Sequence, residues 1–259
     1  MAIDSISSSY NPAAVSMLQQ SLTTGRQINS AADNPSGQAM VTTYTSQINQ
    51  QDYATRNAND GISLLQTADG VSESVGSQLQ RLNELALQAQ NGTYNPSQRN
   101  ILNLEFQQGL QSINQFIGQA SFNGTNLLDG STQNIDIAMG NTSSSLTMPN
   151  FSTSGLGLDG LNINSATGAS SALESISAAL ETYTAGRAQF GAQQNGLSSA
   201  IDNLSSQSIN VQATRSQIND TDYARSIAEV SRQQILDQAG LAMQAQRNQD
   251  KSQVLQLLQ

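Results

Sequence analysis

Apolar residues recur at helical spacing over most of this chain, and only its centre alternates as a strand would. From Tyr44 to Gln90 no proline intervenes, and Val71, Val75, Leu79, Leu82 and Ala86 recur at steps of 4, 4, 3 and 4, the stripe of an amphipathic helix. Unbroken, that segment spans roughly 70 Å. The run NGTYNP, residues 91–96, has Asn-Gly turn chemistry and a proline, and predicts where the helix stops. Leu102, Phe106, Leu110, Ile113 and Ile117 then repeat the 4, 4, 3, 4 spacing, a shorter helix that folds back. Later, Leu173, Ile176, Leu180, Tyr183, Arg187, Phe190, Gln194, Leu197, Ile201, Leu204, Ser208 and Val211 step by 3 and 4 without a slip. That heptad predicts a coiled-coil-like helix. Arg187, Gln194 and Ser208 weaken its seam, so it is expected to pack against other helices of the same chain.

Residues 122–170 are rich in Gly, Ser, Thr and Asn. Ile135, Ile137 and Met139 alternate with polar residues, as do Leu146 and Met148 across the GNTSSS run. This pattern predicts a β-hairpin that needs support from the helices; a disordered Ser/Thr linker is the alternative. The ends differ again. AAVSMLQQSLTTG (13–25) and IAEVSRQQILDQAGLAMQAQ (227–246) are amphipathic but weakly hydrophobic, and VLQLLQ closes the chain. Neither stripe suffices for an isolated helix. Both ends are expected to stay loose in the monomer and to order on assembly through Val15, Leu18, Leu22, Ile227, Val230, Ile235, Leu241, Leu255, Leu257 and Leu258. The expected fold is mainly α. It is a long antiparallel helical bundle with a coiled-coil-like core, a small central β-hairpin region and amphipathic terminal helices. The expected divisions are a terminal domain of 1–33 and 216–259, and a core domain of 34–215 with the hairpin region at about 122–170.

Composition narrows the chemistry. The 259 residues contain no Cys and no His, so thiolate or imidazole metal sites and imidazole-based nucleophile systems are excluded. A carboxylate-only site survives that test, but residues 130–170 hold only Asp136 and Asp159 as acids, too few for a lectin or carboxylate enzyme. No enzyme and no cofactor is expected. The net charge of −9 and a single lysine, Lys251, argue against nucleic acid. No apolar run reaches membrane-spanning length, and the first thirty residues lack the pattern of a cleaved secretory signal.

Two polar knots invite a binding reading. GRQINSAADNPSGQAM, residues 25–40, contains Asp33, Asn34, Pro35 and Gly37, which supply capping and turn conformations and no convergent charge. It reads as a joint between a terminal and a core helix. In NDTDYA (219–224), Asp220 and Asp222 suggest a cation site, but the Gly and Glu of a calcium loop are missing. A capped turn between helices is expected there.

Several segments together resemble bacterial flagellin: GRQINSAADNPSGQAM, RNANDGISLLQTADG (56–70), QRLNELALQAQNGT (80–93), FNGTNLLDG (122–130) and INDTDYARSIAEVSRQQILDQAGLAMQAQ (218–246). They occur in the family's order over nearly the whole chain. The arm before INSA is about ten residues shorter than is typical of the family. No outer domain is inserted after LGLDGLNI (156–163). The resemblance implies a subunit that self-assembles into the flagellar filament, a helical homopolymer used for motility. It implies export without a cleaved signal, and an extracellular location. The implied partners are the export apparatus, a flagellin chaperone docking on the C-terminal helix, and the filament cap and junction proteins. Arg81, Leu85, Gln88 and Glu105 match the motif recognised by the animal Toll-like receptor for flagellin, on a face expected to serve subunit contacts also. Read from the residues alone, Arg81 and Glu105 form a surface ion pair across the helical hairpin. Rival readings are the related hook–filament junction protein and a coiled-coil scaffold.

Overall fold

The computed structural model describes the backbone of residues 12–257 and the side chains of residues 16–250. Its helices are α1 (Pro12–Thr24), α2 (Pro35–Gln90), α3 (Pro96–Gln119), α4 (Ala166–Asn219) and α5 (Tyr223–Leu257). Between α3 and α4 lie two antiparallel strand pairs. One joins β1 (Ser121–Phe122) to β2 (Thr125–Asn126), the other β3 (Asn134–Met139) to β4 (Thr142–Thr147). The fold is mainly α, as expected, and packs as two units. One unit comprises residues 1–48 and 208–259, the other residues 49–207. The division falls inside α2 and α4, because a continuous helix need not break where its packing partners change.

The unit of residues 49–207 is built on the predicted stripes. Val75, Leu79, Leu82 and Ala86 of α2 are buried with Phe106, Leu110, Ile113 and Ile117 of α3. Along α4, Ile176, Tyr183, Phe190 and Leu197 are buried in the same core, and the seam positions between them are half-buried. Arg187, which interrupts the seam, is matched from α2. Its Nε and Nη2 donate to Asp69 Oδ1 and Oδ2 at 2.7 and 3.1 Å. The bidentate pair fixes the register of α2 against α4, and Asp69 raises the Arg187 pKa further above its usual value. Close approach depends on glycine. A Cβ on Gly76 would lie 2.3 Å from the Tyr183 hydroxyl, and one on Gly186 would lie 2.5 Å from Phe151 Cζ.

The turn after α2 is held from both sides. Asn95 caps α3 in a reciprocal capping box with Gln98, ahead of Pro96. Arg99 donates to the carbonyls of Ala89 and Asn91 at 2.8 and 3.1 Å, satisfying acceptors that the end of α2 leaves open.

The centre is ordered, which sets aside the disordered-linker alternative. β3 and β4 pair from Asn134↔Thr147 to Met139↔Thr142. Gly140, first of the two loop residues, takes φ 72°, as a type II′ hairpin turn requires. Met148 lies just beyond β4, where its N–H donates to the Gln133 carbonyl at 2.8 Å. The shorter pair, which the alternation did not predict, turns on Asn123 and Gly124 at φ 50° and 79°. Docking follows two physical routes. Phe151, fully buried, fills the notch over Gly186, with ring centroids 5.7 Å from Tyr183 and 6.4 Å from Phe190. Helix amides supply the rest by hydrogen-bonding to backbone of the central region. Asn103 accepts from the Ile163 N–H at 2.9 Å, Gln107 donates to the Leu161 carbonyl at 2.8 Å, and Asn114 accepts from the Thr153 N–H at 3.1 Å. From α2, Asn57 donates to the Ala138 carbonyl at 2.8 Å.

Candidate assembly surface

In the other unit, residues 25–37 form a joint within the chain. Asp33 closes the turn after α1 by accepting the N–H groups of Asn29 and Ser30 on Oδ2 at 3.0 and 2.8 Å. Those bonds, Ser30's first, hold its carboxyl below the usual carboxylate range. Asn34 caps α2: its Oδ1 accepts from the Gly37 N–H at 2.9 Å. Pro35 is the first residue of α2, where a fixed φ and a missing N–H favour the helix. The helix therefore begins nine positions before Tyr44, the start that its lack of proline predicts. A Cβ on Gly37 would lie 2.6 Å from Ile28 Cδ1, so glycine lets the buried Ile28 fold over the new helix.

The second polar knot pairs with the first. Arg26 and Asp220 form an antiparallel bridge, the Gln27 N–H donates to the Asn219 carbonyl at 2.6 Å, and the Thr221 N–H donates to the Gly25 carbonyl at 3.1 Å. Asp222 then caps α5 by accepting the Arg225 N–H at 3.1 Å. Both knots are consumed by capping and by one another. Among the described residues no cluster of three or more Asp or Glu could hold a metal ion.

Beyond the joint, α1 packs along α5 but leaves most of α5 uncovered. Leu18, Leu22 and Val230 are half-buried, whereas Ile227, Ile235 and Leu241 are exposed, the last at 67%. Leu236 and Met243 are exposed as well, and seven residues apart they share a face. The side chains of Val15, Leu255 and Leu257, and Leu258 altogether, lie outside the described residues, as do residues 1–11. No described helix is long and apolar enough to cross a membrane, so the exposed face is not explained as a span.

On the outer side of α2 and α3, Arg81 donates to Glu105 Oε1 from Nε and Nη2 at 3.0 and 2.6 Å, and to Glu84 Oε2 at 3.0 Å. Glu105, then Glu84, raise the Arg81 pKa above its usual value. Gln88 is exposed beside them. Leu85 departs from the expected face. It is 1% exposed and belongs to the core, because its position is turned from Arg81 towards Leu82 and Ala89. The exposed apolar residues here are Leu87, Ile101 and Leu104, which a search for a stripe through Arg81 passes over. Glu84 and Asp69 were missed as partners from sequence: Glu84 lies three residues from Arg81 on the same helix, which is the signal available, whereas Asp69 lies 118 residues from Arg187 and has none.

The sequence matches two family models. The first, "Bacterial flagellin N-terminal helical region", covers residues 5–133; the second, "Bacterial flagellin C-terminal helical region", covers residues 173–258. The chain belongs to the bacterial flagellin family. A flagellin of Halalkalibacterium halodurans is 39% identical over 92% of this chain and 90% of its own length. The crystal structure of Bacillus cereus flagellin, 31% identical, superposes with a TM-score of 0.53 over 62% of this chain and 94% of that one. A putative flagellar hook-associated protein from Vibrio parahaemolyticus superposes at TM-score 0.61 over 73% of this chain and all of the other. At 12% identity that likeness shows a shared fold. Family membership decides between flagellin and the hook–filament junction protein, and in favour of the first.

Proposed function

We propose that this chain builds the bacterial flagellar filament by laying the uncovered sides of α5 against neighbouring copies, with α1 completing each contact. The filament is an extracellular structural polymer, and the family is structural, not catalytic. Exposed Ile227, Ile235 and Leu241 on one side of α5, and Leu236 on another, carry the reading, since exposed apolar surface of this kind marks a site of association. A contact that joins one patch to a different patch on the next copy does not close, and so generates a helix of subunits. Low charge suits such packing, because few ions must leave water. Residues 1–33 and 216–259 act as the terminal domain of assembly and order fully only among neighbours. The C-terminal helix is the segment a chaperone would cover before export, and the export apparatus, cap and junction proteins are the partners of delivery.

The charged face of Arg81, Gln88 and Glu105, with Glu84 added and Leu85 acting from beneath as core, serves as a lateral subunit contact. The same face is the site an animal Toll-like receptor for flagellin would read. Purified full chain, seeded or salted out and viewed by negative-stain electron microscopy, is expected to give long uniform filaments. Removing residues 1–20 or 254–259 is expected to abolish them while sparing the helical bundle. Protein that stays monomeric with intact ends by mass would sink the filament reading. Receptor activation unchanged by Arg81→Ala would remove the arginine from the receptor site.

A further inference from the structure

Resting on the filament reading, a second property follows from where the sulfur atoms lie. With no cysteine in the chain, the six methionines hold all its sulfur. Among the described residues they divide sharply. Met17, Met40 and Met243 are 55%, 47% and 52% exposed, and all three belong to the unit of residues 1–48 and 208–259. Met139 is half-buried against the core and Met148 is 4% exposed; both belong to the unit of residues 49–207. Met243 sits on the side of α5 that also presents Leu236, one of the uncovered sides that association would use. We infer that Met17, Met40 and Met243 are oxidation-sensitive positions, and that a peroxide converts them to sulfoxides which block filament growth while leaving the subunit folded.

The chemistry requires no residue of the protein beyond the thioether. A sulfur lone pair attacks one oxygen of hydrogen peroxide, an S–O bond forms as the O–O bond breaks, and the departing hydroxide takes the proton of the transferred hydroxyl to leave as water, giving the sulfoxide. Sulfur loses two electrons and the peroxide gains them. The product replaces a soft apolar side chain by a polar one. In the free subunit the new oxygen points into water, and the fold tolerates it. When a neighbouring copy covers the face, that oxygen must be desolvated without a prepared donor, which costs association and not folding. Met139 and Met148 are protected by packing, so the self-contained unit is spared.

The test treats purified full-chain monomer with dilute hydrogen peroxide and maps the added oxygen by peptide mass. Sulfoxide is expected at Met17, Met40 and Met243 before Met139 and Met148, with helical circular dichroism unchanged. Seeded growth should then need on the order of tenfold more monomer. Methionine sulfoxide reductases of both epimer specificities should restore it. A Met17→Leu/Met40→Leu/Met243→Leu chain should keep growing after the same treatment. Treated wild-type protein that assembles like untreated protein overturns the proposal, as does loss of growth that the reductases do not reverse. Oxidation of Met139 and Met148 ahead of the other three overturns it too. Untreated chain that grows no filament overturns the filament reading and this inference together.

Discussion

The two units place the same residue types to opposite ends. Residues 49–207 bury Phe106, Phe151 and Phe190 completely, with leucines such as Leu65, Leu79 and Leu127, and place Gly76 and Gly186 where a ring must approach a helix. Residues 1–48 and 208–259 instead leave Ile227, Ile235, Leu236 and Leu241 on the surface and hold themselves by caps and backbone bonds at one joint. A unit of the first kind is complete as a monomer. The second kind has unspent apolar surface, and its stability rises by mass action when other copies supply the missing partners.

The largest expected effect tests that contrast directly. Phe151→Ala empties a fully buried site between Tyr183, Gly186 and Phe190 and should cost the monomer about 3–5 kcal/mol in urea unfolding. Leu241→Ser, a change of equal chemical severity on α5, should leave monomer unfolding within about 0.5 kcal/mol and suppress seeded filament growth. A large monomer destabilisation by Leu241→Ser would erase the distinction.

Glycine gives a smaller effect with two signs. Gly76→Ala sets a methyl 2.3 Å from the Tyr183 hydroxyl, and Arg187 and Phe151 hold that ring in place. A loss of about 1–3 kcal/mol is expected. Gly196→Ala, on α4 with open space around it, should instead add about 0.4–1 kcal/mol by stiffening the unfolded chain. Thermal melts of the two variants moving in the same direction would show that the close approach at Gly76 is not the constraint.

Third comes the docking of the central region. Asn114→Ala removes the acceptor of the Thr153 N–H, in a residue only 6% exposed. Stranding that donor should cost about 1–3 kcal/mol, readable as faster amide exchange at Thr153 before any change in the helices.

How far these features were legible depends on their physical kind. The stripes from Val71 to Ala86 and from Leu102 to Ile117, and the heptad from Leu173 to Val211, announce burial by period alone, and the positions they mark are buried or half-buried. Joint residues Asp33, Asn34 and Gly37 were readable because capping is local. The start of α2 at Pro35 lies ahead of the proline-free run from Tyr44, since a proline that cannot sit inside a helix is well suited to start one. What the pattern could not give was side-chain chemistry across long separations. Asp69 meets Arg187, and Asn103, Gln107 and Asn114 meet a backbone some forty to sixty residues away; no local spacing encodes such pairs. Leu85 failed for a finer reason, because a helical neighbour of an exposed arginine is turned by enough to enter the core.

The smallest expected effect lies at the joint and concerns acid. Asp33 accepts two backbone N–H bonds, and these depress its pKa below 3.8, its ordinary value. A depressed folded pKa means that the bonds add stability fully above the unfolded value. That contribution fades as pH falls through the lower folded one. The amide proton shifts of Asn29 and Ser30 should therefore hold steady from neutral pH down to about 4 and move together below it. In Asp33→Asn the side-chain oxygen still accepts but cannot titrate, so both shifts should stay flat through the same range. Wild-type shifts that move independently of each other, or that move in the asparagine variant also, would place the acid response elsewhere. The joint would then owe its shape to the Asn34 cap and to the bonds between residues 25–27 and 219–221 alone.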